Sequence, residues 1–218
     1  MTLLLGAKCD GGIVLASDGL CRQLQANGRR RVLNAAQTKI FPFANRSIAV
    51  AHHGQNVLDG KAVSHYIAQI EYDTTESCHV RDISAHMRGL LDAVVRKSLQ
   101  RLNTEGVKDG CGFWIAGYGA DDQYPVFEEI YWQPGGGFER LDVAILAEGG
   151  DGKAFAQLAR RSSSRFDFAE IAKCWPLERW VRYVEQLYDA AATLEGASLI
   201  FGGVRSLFTI TKDGVTKI

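Results

Sequence analysis

The chain has 218 residues, 46% of them hydrophobic, and 25 basic residues balance 25 acidic ones to a formal net charge of zero. That length and apolar fraction suffice for one substantial core in a single domain spanning residues 1–218, and zero net charge leaves no overall positive field to recruit nucleic acid or an anionic membrane surface. No apolar run approaches the about 20 residues that cross a bilayer. The five cysteines, Cys9, Cys21, Cys78, Cys111 and Cys174, show no CxxC spacing, so they read as reduced thiols of a cytoplasmic protein.

In chain order, Thr2–Lys8 is an apolar strand, Asp10-Gly11-Gly12 a turn, and Ile13–Asp18 a second strand that ends on a carboxylate. The polar stretch Gln23–Gln37, with its basic run Arg29-Arg30-Arg31, reads as a solvated loop. Thr38–Phe43 and Ser47–His52 form a second β pair around Ala44-Asn45-Arg46, and Pro42 makes the first of them an edge or broken strand. Residues 55–71 turn helical. From Val80 on, Ile83, Met87, Leu90, Leu91, Val94, Leu99 and Leu102 recur at steps of three and four, which predicts a second helix.

Strands resume at Gly112–Tyr118, Val126–Trp132 and Leu141–Leu146, with Gly135-Gly136-Gly137 as the turn between the last two. Helices follow at Lys153–Arg161 and Leu177–Ala192, joined through the polar loop Arg161–Asp167, and strands at Ser198–Phe201 and Arg205–Thr211 close the chain before the Asp213-Gly214 turn. Strands, two helices, strands, two helices, strands is the order of two packed antiparallel sheets, each covered outside by a helical pair. The expected fold is α+β, a four-layer αββα sandwich.

Thr2 is the first candidate for chemistry. If the Met1–Thr2 bond is cut, one residue carries both a hydroxyl and an α-amine that titrates near about 7.7–8.0, and the amine then serves as the base that an internal threonine lacks. Such a site also needs a carboxylate to anchor a cation and a cation to favour the alkoxide. His65, His79 and His86 lack the spacing of a metal motif. Gly135-Gly136-Gly137 lacks the following Lys-Ser/Thr of a phosphate loop. No cofactor or metal is expected.

Thr2 at a strand start, Gly11–Asp18, Thr38-Lys39-Ile40 and Ser47–Gly54 together resemble the proteasome β-subunit family of N-terminal nucleophile hydrolases. The resemblance extends over essentially the whole chain, and among relatives it is most similar to the ring-forming bacterial β-proteasome homologues. It implies the N-terminal nucleophile fold and a threonine endopeptidase that hydrolyses unfolded peptides inside a homo-oligomer of stacked rings, a tetradecamer or similar. An ATPase partner is left open. It also implies roles: Thr2 as nucleophile, Asp18 and Lys39 as its charged partners, the His53 backbone N–H as oxyanion donor, and Cys21, Arg22 and Ala51 flanking the substrate.

Three positions depart from the family pattern. His53 stands where a glycine is usual, and its imidazole is expected to crowd the groove or to add a titrating group. Glu148, in Ala147-Glu148-Gly149-Gly150, stands where a serine helps order the terminal amine. Asp189 and Thr193 are the displaced matches for the late supporting residues. Two alternatives follow: a small-molecule amidase or acyl transferase that uses Thr2 in the same way, or a non-catalytic ring scaffold.

Overall fold

The computed structural model describes residues 2–24, 30–103, 111–133, 137–162 and 174–218. Met1, Arg29, Gly135, Gly136 and residues 163–167 of the expected polar loop lie outside the described residues.

The strands are β1 (Leu4–Cys9), β2 (Gly12–Ser17), β3 (Cys21–Leu24), β4 (Arg30–Asn34), β5 (Ile40–Pro42), β6 (Ile48–Gly54), β7 (Val57–Leu58) and β8 (Lys61–Ala62), followed by β9 (Cys111–Gly117), β10 (Val126–Gln133), β11 (Gly137–Asp142), β12 (Leu146–Gly149), β13 (Ser206–Thr211) and β14 (Gly214–Lys217). The helices are α1 (Val63–Asp73), α2 (Val80–Asn103), α3 (Lys153–Ser162) and α4 (Leu177–Ala192). One five-stranded sheet runs in the order β12-β1-β2-β13-β14 and another in the order β11-β10-β9-β6-β5. Both are antiparallel throughout.

Three apolar clusters define the layers. Leu4, Ile13 and Leu15 of the first sheet meet Ile40, Ala49, Ala51, Trp114 and Phe127 of the second. Leu3, Leu5, Ala7 and Val14 turn the other way, onto Trp180, Val184 and Leu187 of α4 and Ala156 and Ala159 of α3. Val50, Phe113 and Ile130 pack beneath Val63, Ile67 and Ile70 of α1 and Ile83, Met87 and Leu91 of α2. A strand with an apolar layer on both faces has no polar face, which is why Leu3-Leu4-Leu5 reads as an unbroken apolar run. Burial of each such leucine contributes about 1.5–3 kcal/mol.

The alternation of strand and helix blocks is as the sequence predicts, and several individual elements and boundaries differ. The helix expected from residue 55 starts at Val63, because Leu58-Asp59-Gly60-Lys61 makes a tight hairpin with positive φ at Asp59 (46°) and Gly60 (79°), the backbone an Asp-Gly pair favours. The expected loop Gln23–Gln37 contains the β3–β4 ribbon, where Arg30 and Arg31 pair with Leu24 and Gln23. The single strand expected at Leu141–Leu146 is two: β11 ends at Asp142 in one sheet and β12 begins at Leu146 in the other, so the chain crosses the sandwich between them. Ser198–Phe201 is not a strand; Ala197–Leu199 is a 3-10 turn. Among the described residues no helix is long and apolar enough to cross a membrane.

Candidate active site

Antiparallel pairing of β1 with β2 sets Leu4 opposite Ser17. The next residues therefore bring Asp18 beside the Thr2–Leu3 peptide: Asp18 N–H donates to the Leu3 carbonyl at 3.2 Å, and Leu3 N–H donates to Asp18 Oδ1 at 2.9 Å. Lys39, one residue before β5, reaches the same oxygen with Nζ at 2.7 Å and also donates to the Leu20 carbonyl at 2.9 Å. Asp18 Oδ2 accepts the backbone N–H groups of Leu20 (3.1 Å) and Gly202 (3.2 Å). Asp18 is fully buried and Lys39 is 1% exposed. Burial pushes the Lys39 pKa below its ordinary value, and the charge and hydrogen bond of Asp18 offset part of that fall.

Thr2 itself is 3% exposed and is held from the other side by the turn after β12. Gly152 N–H donates to the Thr2 carbonyl at 2.8 Å. Gly150 has φ 74°, a conformation that side-chain-bearing residues rarely adopt, and a Cβ there would overlap the Thr2 carbonyl oxygen. The structure thus brings Thr2, Asp18 and Lys39 together, as the sequence predicts.

A cleft of about 470 Å³ borders the Gly150 turn that holds the Thr2 carbonyl, lined by His53 and Gly54 of β6, Glu129 and Tyr131 of β10, Leu141 of β11 and the Glu148–Asp151 turn with Lys153. A larger hollow of about 620 Å³ lies at the opposite end of β6, around Ser47, Ile48 and Gly119–Gln123, remote from Thr2. Among the described residues no group of three or more His, Cys, Asp or Glu gathers as a metal site. Compared with protein-family models and with curated proteins, the chain matches none.

The remaining expected site residues are placed differently. His52 N–H donates to the Lys39 carbonyl at 3.0 Å, and Tyr118 N–H to the Ser47 carbonyl at 2.8 Å. Backbone groups of residues 48, 50 and 52 therefore face β5, and those of 47, 49, 51 and 53 face β9. His53 is paired with Gly112, so its N–H belongs to the ladder and not to the cleft. A trans peptide holds the Gly54 N–H antiparallel to the His53 carbonyl, so Gly54 directs its N–H to the Lys39 side. The His53 ring does enter the cleft: a Cβ on Gly112 would overlap it, and one on Gly149 would lie 3.5 Å from its Cδ2.

Glu148 is opposite Leu5, whose side chain faces the helices, and opposed residues share a face. Its carboxylate, 6% exposed, accordingly pairs with Arg160 of α3 at 3.0 Å. The residue of this strand on the cleft face is Gly149, opposite Leu4. Asp189 is 69% exposed and pairs with Arg205 at 2.9 Å; the late segment supports Asp18 through the Gly202 N–H instead. Thr193 Oγ1 donates to the Ala190 carbonyl in the last turn of α4. Arg22 is directed to the carbonyls of Ser198 (2.7 Å) and Leu199, which straps the β3–β4 ribbon to the 3-10 turn. Ala51 is fully buried in the layer between the sheets.

Cys21 is buried, 7% exposed, and its sulfur accepts a hydrogen bond from Asn56 Nδ2 at 3.1 Å. Asn56 Oδ1 in turn holds His52 Nε2 at 2.8 Å. His52 lies on the α1–α2 side of the sheet, where burial pushes its pKa down to about 4 despite that bond, so it is a neutral imidazole. Neither Asn56 nor Glu129 was legible as a site residue. The period-2 alternation through Phe127, Glu129 and Tyr131 was the available signal for Glu129.

Proposed function

We propose that this chain, once the bond preceding Thr2 is cut, is an amide hydrolase of the N-terminal threonine type that cleaves peptide bonds. The observation that carries the reading is the shared oxygen: Asp18 Oδ1 accepts from both Lys39 Nζ and the N–H of the Thr2–Leu3 peptide. That arrangement puts a buried cation within one oxygen atom of the threonine backbone.

In this mechanism Thr2 Oγ attacks the substrate carbonyl carbon while its proton passes to the terminal amine. Lys39 favours the alkoxide, and Asp18 holds Lys39 in place with four donors around its two oxygens. The Gly54 N–H is directed to the side where the tetrahedral oxyanion develops. The ammonium then gives its proton to the leaving amine, and water cleaves the threonyl ester, returning Thr2 to its starting state. The Gly150 and Gly152 contacts fix the Thr2 carbonyl, so the nucleophile is positioned before substrate arrives.

The similarity to proteasome β-subunits extends the proposal to the N-terminal nucleophile fold and to a ring that confines unfolded chains. Intact mass measurement before and after an epoxyketone electrophile tests the catalytic part. Loss of residues preceding Thr2 followed by a one-to-one adduct, absent in Thr2→Ala, is the expected result; a retained Met1 with no adduct overturns it.

One observation favours a second reading. The His53 ring stands between Gly112 and Gly149, which narrows the cleft from both sheets, and that suits a small amide better than an extended peptide. Light scattering separates the two readings, because a confining ring demands an assembly many chains in mass.

A further inference from the structure

The cleft beside the Gly150 turn has a polar wall on β10. Alternation along β10 sends Glu128, Ile130 and Trp132 towards the helices and Phe127, Glu129 and Tyr131 into the space between the sheets. Glu129, 21% exposed, presents its carboxylate to the cleft, where its ion-pair contact among the described residues is His53 Nε2 at 3.6 Å. That distance is longer than a direct hydrogen bond. Burial pushes the Glu129 pKa up, but the nearby His53 and Trp114 side chains and the charges of His53 and Lys153 more than offset it, so the group titrates below its ordinary value.

Among the other buried carboxylates of the described residues, Asp18 has Lys39 at 2.7 Å and Glu148 has Arg160 at 3.0 Å, while Glu128, on the helix side of β10, has Arg81 at 3.6 Å and Arg140 at 3.7 Å. Glu129 differs from these in lining the cleft, with the His53 imidazole as its ion-pair contact among the described residues and the Lys153 charge nearby. The remaining charged residues lining the cleft are Glu148, whose carboxylate pairs with Arg160, Asp151, which adds negative charge, and Lys153, whose exposed side chain stands at the start of α3. A carboxylate in that setting gains most from a cation that can approach it directly.

We propose that Glu129 is the specificity-determining residue of the cleft and receives the ammonium or guanidinium group of a lysine or arginine side chain in the substrate. The inference rests on the Thr2 hydrolase reading for its place in the reaction, and its binding step stands apart from it. A charged hydrogen bond gained on one substrate and missing on its competitor gives about ten-fold or more in relative turnover.

The test has two arms on the full chain. In the first, matched peptide amides bearing arginine, lysine, leucine or glutamate are hydrolysed by the mature protein and by Glu129→Gln. The expected result is a basic-over-leucine preference that falls about ten-fold in the variant and is largely regained in Glu129→Asp. In the second, binding of N-acetyl-argininamide is followed by saturation-transfer NMR in Thr2→Ala and in Thr2→Ala with Glu129→Gln. Binding that is lost with the carboxylate supports the proposal even where no amide is hydrolysed, an outcome that would sink the hydrolase reading alone. An unchanged arginine-to-leucine ratio, or probe binding indifferent to Glu129, overturns it.

Discussion

Lys39 Nζ and the backbone N–H of Leu3 meet on one oxygen of Asp18, at 2.7 and 2.9 Å. The contact joins the loop before β5 to the start of β1, and both side chains of the pair are out of solvent. Removing one member leaves an uncompensated buried charge, which costs about 3–5 kcal/mol. Lys39→Ala should therefore lower urea-unfolding stability by that order and abolish amide hydrolysis. Lys39→Met combined with Asp18→Asn should restore part of the stability and none of the activity. A double variant as unstable as the sum of the singles would mean the two groups do not act as a pair.

Gly150 makes the second prediction. Its φ of 74° and its contact with the Thr2 carbonyl leave no place for a methyl group. Gly150→Ala should cost about 1–3 kcal/mol in thermal denaturation and slow adduct formation at Thr2, whereas Gly60→Ala, equally left-handed but with open space around it, should cost stability without touching the adduct rate.

Acid stability gives the third. His52 is buried and neutral, with its pKa pushed from 6.5 down to about 4. Between those values the unfolded chain binds the proton and the folded chain does not, so stability falls as pH drops through 6.5 towards 4. The gap corresponds to about 3 kcal/mol lost at the low end. Urea unfolding midpoints measured from pH 7 to pH 4 should show that slope, and His52→Gln should flatten it.

Which parts of this site the sequence disclosed follows from strand geometry. The juxtaposition of Asp18 and Lys39 is legible because each ends or begins a strand whose position the apolar pattern sets; the β1–β2 hairpin brings Asp18 to Leu3, and packing of the two sheets brings in Lys39. Glu148 is misplaced because facing is decided by a register against Leu5 that no local pattern reveals; a one-residue step along β12 separates a helix-facing acid from the cleft-facing Gly149. The His53 N–H fails for the same reason, since its direction depends on which neighbour, β5 or β9, takes residue 52. The crossing between β11 and β12 is hidden because Val143, Ile145 and Leu146 stay apolar while the chain changes sheets. By contrast, Asp59-Gly60 carried a legible hairpin signal that the surrounding helical periodicity outweighed.

Glu148 and Asp189 make the fourth prediction, as a contrast with Asp18. Glu148→Gln removes one charge of a pair that is 6% exposed on the Glu side. It should destabilise the chain measurably and leave the rate of Thr2 adduct formation unchanged, because the carboxylate faces α3. Asp189→Asn, 69% exposed beside Arg205, should change little in either measurement. A loss of adduct formation in Glu148→Gln that exceeds its loss of folded protein would return that carboxylate to the site.

His53 decides how much of a peptide the cleft admits. Its ring lies over Gly112 and against the Gly149 side of the opposite sheet, and its backbone is fixed in the ladder by Gly112. Truncation therefore opens the groove without removing a strand pair. For an extended substrate that must pass between the two glycines, His53→Ala should raise kcat/KM for long peptides relative to short amides bearing the same scissile residue. For a small-amide hydrolase the ring is part of the wall that orients the substrate, and the same variant should lower kcat/KM for short amides with no gain on long ones. Progress curves on one short and one long substrate, taken with both proteins at matched active-site titre, separate these outcomes by the sign of the change in that ratio.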